Sequence, residues 1–124
     1  MTQAQTEAAT TVVDVDELLS RCLGNLEFAE RIIAIFQARC STDLEQLEEA
    51  IDQQDLQRVA AVAHRLKGAC ANAAAHPPCE RISQLRQAAC ANALDDVTAR
   101  FQEVQDEWAH FVAAVPELQW KTDG

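Results

Sequence analysis

The sequence predicts an all-α protein, an antiparallel up-down four-helix bundle with one short extra helix at its N-terminus. Three observations lead there. Gly and Pro are scarce, three of each, in a chain rich in Ala, Leu, Gln and Glu, and that mixture favours helices. Apolar residues return at steps of three and four over long stretches. Tyr is absent and β-branched runs are short, so a sheet has little to be built from. A chain of 124 residues with 48% apolar content holds one domain whose core needs no metal or disulfide staple.

Residues 1–13 read as a disordered lead-in, 14–116 as the bundle and 117–124 as a tail. Asp14 is placed as an N-cap with Glu17 as its capping-box partner, opening a short helix from Val15 to Leu23. Gly24 ends it, and Asn25 caps the next. The second helix, about 26–53, carries the stripe Phe28, Ile32, Ile35, Phe36, Cys40, Leu44, Leu47 and Ile51. Asp55 caps a third helix that runs to about Ala75, where Pro77 and Pro78 stop it. Pro78 suits the first turn of a fourth helix, about 78–93, with Ile82, Leu85 and Ala89 inward. Asp95 is placed as the cap of a fifth, whose seam is Val97, Phe101, Val104, Trp108, Phe111 and Val115. Short links make neighbouring helices antiparallel.

The formal net charge is -10. Such a surface repels phosphate backbones and anionic lipid, which argues against nucleic acid and membranes as partners. No apolar stretch is long enough to span a bilayer, and no basic start followed by an apolar run marks a signal peptide. The expectation is a cytoplasmic monomer. Cys22, Cys40, Cys70, Cys79 and Cys90 are odd in number and form no CxxC. They read as small apolar side chains. A zinc set of Cys70, His76 and Cys79 lacks the paired short spacings such sites use, so no metal is assigned.

The third helix carries the informative residues. On a helical wheel Leu56, Val59, Ala63, Leu66 and Cys70 form its core stripe, and His64 falls beside that stripe. Ala60, Gly68, Ala71 and Ala75 share the side of His64, a shelf of small residues with nothing bulky to cover the ring. Gly68 costs roughly 1 kcal/mol in a helix interior, yet leaves the imidazole open one turn away. Lys67 can bring its ammonium beside the same ring. A neutral imidazole nitrogen is a good nucleophile, and His holds one near pH 7. Phosphoryl transfer asks little of a protein beyond positioning and charge stabilisation. From Leu56 to Leu94, Arg58, Arg65, Lys67, Arg81 and Arg86 face one acid, Glu80, a basic patch suited to an acidic partner. His76 reads as a loop residue and His110 as a core-edge one. Counting back from a turn at about His76 puts the level facing His64 near residue 88. Gln84, Arg86 and Gln87 lie within a turn of that level, with Arg86 on the flank.

Ala63-His64-Arg65-Leu66-Lys67-Gly68 resembles the His-x-Leu-Lys-Gly phosphoacceptor motif of histidine-phosphotransfer domains. Leu19-x-Arg21-x-x-Gly24-Asn25 resembles the family's opening helix and turn. Phe36 and the Ala50-Ile51 to Asp55 run resemble its second helix and following turn. The likeness covers about residues 14–115. It implies a phosphorelay intermediate, with His64 as phosphoacceptor, Lys67 stabilising phosphoryl charge and Gly68 giving steric access. Arg65, Ala71, Ala75, Gln84 and Arg86 are the candidate docking residues. The implied partners are a response-regulator receiver domain and a histidine or hybrid kinase. No intrinsic kinase activity and no cofactor are implied, the Mg2+ for transfer belonging to the receiver. Two departures stand out: Ala74-Ala75 where the family often has Gly-Ala, and Arg86 where it often has an acid. The competing reading is a docking or inhibitory module that needs no phosphorylation. Against it, a pure docking surface has no use for a nucleophile.

Overall fold

The computed structural model describes residues 12–118. They form five helices, α1 (Val15–Arg21), α2 (Leu26–Asp52), α3 (Leu56–Asn72), α4 (His76–Cys90) and α5 (Leu94–Ala114), and a closing 3-10 turn, Val115–Glu117. Helices α2 to α5 make an up-down four-helix bundle in which α3 packs on α4, α4 on α5, and α2 closes against α3 and α5. The short α1 leans on α2. Among the described residues no helix is long and apolar enough to cross a membrane.

Three of the expected caps form. The side chains of Asp14, Asn25 and Asp55 accept from the backbone N–H groups of Glu17, Phe28 and Arg58 at 3.0, 3.0 and 3.1 Å. The capping box does not close. The Asp14 N–H donates to the Ala74 carbonyl at 2.9 Å, so the Glu17 carboxylate is released to other partners. Asp95 is not a cap either: Ala93 holds that position without a side-chain bond, and Asp95 and Asp96 sit in the first turn of α5, where acids favour the helix dipole.

The helix ends rest on left-handed residues that are not glycine. Leu23, Gln54, Ala74 and Asn92 have φ of 57°, 56°, 56° and 60°. Around Gln54 the Asp55 N–H bonds to Ala50 O and the Gln54 N–H to Ile51 O, each at 2.9 Å, and the turns at Ala74 and Asn92 repeat the pattern. These are Schellman closures that satisfy the last carbonyls. A side chain at left-handed φ costs about 1–2 kcal/mol. Gln54 is exposed, so Gln54→Gly should gain about 1 kcal/mol after the glycine entropy cost. A rise in Tm of roughly 4 °C checks it, and a lower Tm would refute the strain at this turn.

The core stripe of α2 is rotated from the expected one. Its inward residues are Ala29, Ile33, Phe36, Cys40, Asp43, Leu47 and Ala50, while Phe28 is 49% and Ile35 61% exposed. The two stripes share Phe36, Cys40 and Leu47. Ile32, Leu44 and Ile51 of the expected stripe are partly buried at its edge, while Ala29, Ile33, Asp43 and Ala50 take the remaining inward positions. Phe36 meets Trp108 and Phe111 edge-on, with centroids 5.8 and 5.4 Å apart, and Trp108 stacks on Phe111 at 5.2 Å. Such pairs add about 0.5–1.5 kcal/mol each beyond burial.

The start of the described chain differs from the lead-in expected there. Val12 and Val13 are fully buried, while residues 1–11 lie outside the described part. Past the closing turn Leu118 is buried as well, and 119–124 lie outside. Helix α1 is bound to the α3–α4 turn by polar contacts. Arg21 donates to the carbonyls of Ala71 and Asn72 at 2.8 and 3.3 Å, capping a helix that has no basic residue in its own last turn. Glu17 pairs with Arg21, and its other oxygen lies 2.8 Å from His76 Nε2. His76 is therefore the first residue of α4 and part of a latch, not a loop residue.

Candidate functional site

The inward face of α3 is Val59, Val62, Ala63, Leu66 and Cys70. This buried stripe fixes the helix on the bundle and turns His64 to solvent. His64, Gly68 and Ala71 are exposed, and Ala60 is half-buried. A Cβ built on Gly68 meets nothing within 4 Å, so the space one turn beyond the imidazole is open. Among the described residues no hydrogen bond or ion pair occupies His64. Ala75 does not join the shelf. Helix α3 stops at Asn72, the chain turns at Ala74, and Ala75 is fully buried as the N-cap of α4. The wheel does not extend past the left-handed residue.

Lys67 is half-buried. The Cys79 thiol lies 3.8 Å from the Lys67 carbonyl. Burial pushes that thiol up, and the Lys67 ammonium partly opposes the push. Lys67 has no ion-pair partner among the described residues, and it lies three residues from His64 on the same helix. The reversal is centred on Ala74, two residues before the turn that the sequence suggests. Counting as many residues beyond Ala74 as His64 lies before it reaches Gln84, one turn short of the expected level. Gln84 and Arg86 are both half-buried there. Gln84 accepts from Arg81 at 3.5 Å, whereas Arg86 pairs with no described residue.

Arg65 points away from the ring to α2. It donates to Asp43 Oδ1 at 2.9 Å and to Gln46 Oε1 at 3.1 Å. Asp43 is buried, 4% exposed. The sequence held a signal for this pairing: Asp43 sits at the inward step between Cys40 and Leu47, a position that a solvated acid does not take. His110, expected at the core edge, is exposed, 3.6 Å from Glu107.

The thiols divide by burial. Cys22, Cys40 and Cys70 are buried, Cys79 half-buried and Cys90 exposed. Burial, then the nearby Asp43 charge, pushes Cys40 up to about 12, and burial pushes Cys70 up further. Both remain protonated, packed thiols. Cys90 departs from the core assignment because α4 ends there with its last residue facing outward. Asp14, Glu17 and His76 bring ligand-type atoms within 4.8 Å of one another, but these are the groups of the α1 cap and latch.

Among the described residues the bundle thus carries an imidazole in mid-helix that is exposed and without a partner, with open space one turn beyond it, an arrangement that a histidine-phosphotransfer domain requires. The family model of the Hpt domain matches residues 31–115, and the chain belongs to that family. Hpt domains carry out histidine phosphotransfer in two-component signalling and work with receiver domains and kinases in phosphorelays. No curated protein and no solved structure matches the chain closely enough to be counted as similar.

Proposed function

We propose that the protein is a phosphorelay intermediate with His64 as its phosphoacceptor. The exposure of His64, without a partner and beside the open space at Gly68, carries this reading. A ring nitrogen of neutral His64 attacks the phosphorus of a receiver's aspartyl phosphate. The N–P bond forms as the P–O bond breaks, and the electron pair leaves on the aspartate oxygen. The other ring nitrogen keeps its proton. The reverse step loads a receiver aspartate. Lys67 supports charge on the phosphoryl oxygens, and Mg2+ bound by the receiver supplies the remainder. A histidine or hybrid kinase is the alternative donor.

Incubation with a phosphorylated receiver should put acid-labile, base-stable label on this chain. Tight receiver binding without label would favour a docking module instead. Arg86, half-buried and paired with no described residue, is the docking charge on α4. Arg is suited to bidentate contact with phosphate or carboxylate. Arg86→Glu should slow association with the receiver by about tenfold at low salt, with the difference fading at high salt, and leave helicity unchanged. An unchanged low-salt association rate would return Arg86 to the solvated surface.

A further inference from the structure

We infer that Asp43 is a positioning residue for His64, acting through Arg65; this rests on the phosphoacceptor reading above. Among the described residues Asp43 is the one buried charged side chain. Its Oδ1 is held by Arg65, the residue next to His64, and Gln46 shares the same guanidinium nitrogen. Its Oδ2 is buried with no hydrogen-bond partner. Burying a carboxylate costs free energy that a single ion pair seldom returns, and an apolar residue of similar size often serves stability as well or better. An acid half-satisfied in a stripe of Phe36, Cys40 and Leu47 is therefore poorly explained as a stabiliser.

The tether does have a geometric effect. The surface of α3 beside its core stripe includes Ala60, Ala61, Ala69 and Ala71. The buried Val59, Leu66 and Cys70 seat the helix on the bundle, but an alanine flank interlocks little with its neighbours, so small rolls about that seat meet less resistance than they would beside larger side chains. The other ion pair between α2 and α3, Arg58 to Glu49 at 3.0 Å, is largely solvated and correspondingly weak. Arg65 is 44% exposed, but its partner carboxylate is buried and fixed in α2. The pair thus sets the azimuth of α3 at the level of His64. On a helix of about 5–6 Å outer radius a roll of about 10° moves the ring by about 1 Å. A displacement of that size can cost a positioned reaction up to about 100-fold.

The test uses the full chain and a phosphorylated receiver that labels it. Asp43→Leu should keep or raise Tm, because Arg65 can rehydrate once released. Its transfer rate at saturating receiver should fall about tenfold, with the half-saturating receiver concentration within about twofold of the parent. Asp43→Asn, the neutral isostere, should show the same split and serves if the Leu variant does not fold. Arg65→Gln should be equally slow, and the Asp43→Asn/Arg65→Gln double variant no slower than either single one. Glu49→Gln, which breaks the solvated pair, should transfer at the parent rate. The inference is overturned if both Asp43 variants transfer at the parent rate, if their losses scale with loss of Tm, or if the Glu49 control is slowed alike. A parent protein that takes no label overturns the phosphoacceptor reading as well, so the two failures are told apart.

Discussion

His64→Gln should take up no phosphoryl label from any donor, while its thermal unfolding overlays that of the parent. The ring is exposed and bonded to no described residue, so its removal takes nothing from the core. Substitutions of that kind fall within about 0.5 kcal/mol of neutral. The loss of transfer is complete because Gln offers no nucleophilic ring nitrogen. His76 is placed differently, at the start of α4 with its Nε2 2.8 Å from Glu17 in the α1 latch. His110 stands on α5, against Glu107. Quantification of base-stable label on the variant is the measurement. Label retained on the variant, at His76 or His110 or elsewhere, would sink the assignment.

Gly68→Gln is the second large effect, and its sign differs between stability and transfer. A Cβ there meets nothing within 4 Å, and Gln is a better helix former than Gly. Stability should therefore rise by about 0.5–1 kcal/mol. The new side chain also lies one turn beyond His64, where residues four apart are neighbours on the helix surface. It occupies the path of an incoming receiver, so transfer should slow by about 100-fold. Gly68→Ala separates the two effects: the same gain in Tm with most of the rate kept. Equal rates for the Gln variant and the parent would mean that Gly68 is there for some reason other than access.

The local geometry around His64 was more legible than its tertiary surroundings, for a reason that lies in distance along the chain. His64, Lys67 and Gly68 fall within two turns of one helix, where spacing alone fixes who faces whom. Asp43 is brought to Arg65 by tertiary packing, and a pattern search that values large apolar residues passes over an acid in the stripe. The same preference placed Phe28 and Ile35 inward and left out Ala29 and Ala50, which the bundle buries. Helix existence followed from periodicity. The end of α3 did not, because the turn depends on Ala74 adopting a left-handed φ with no Gly to announce it. That one missed turn moved Ala75 off the shelf.

The N-terminal segment bears on modularity. The family model begins at residue 31, inside α2, yet Val12, Val13 and Leu18 lie fully buried against the bundle. Arg21 closes the carbonyl end of the helix that carries His64. A graft cut at the family boundary would take the four-helix recipe and leave behind the plug beneath it and the clasp on its reactive helix. The unit that could be moved intact between signalling proteins therefore starts no later than Val12.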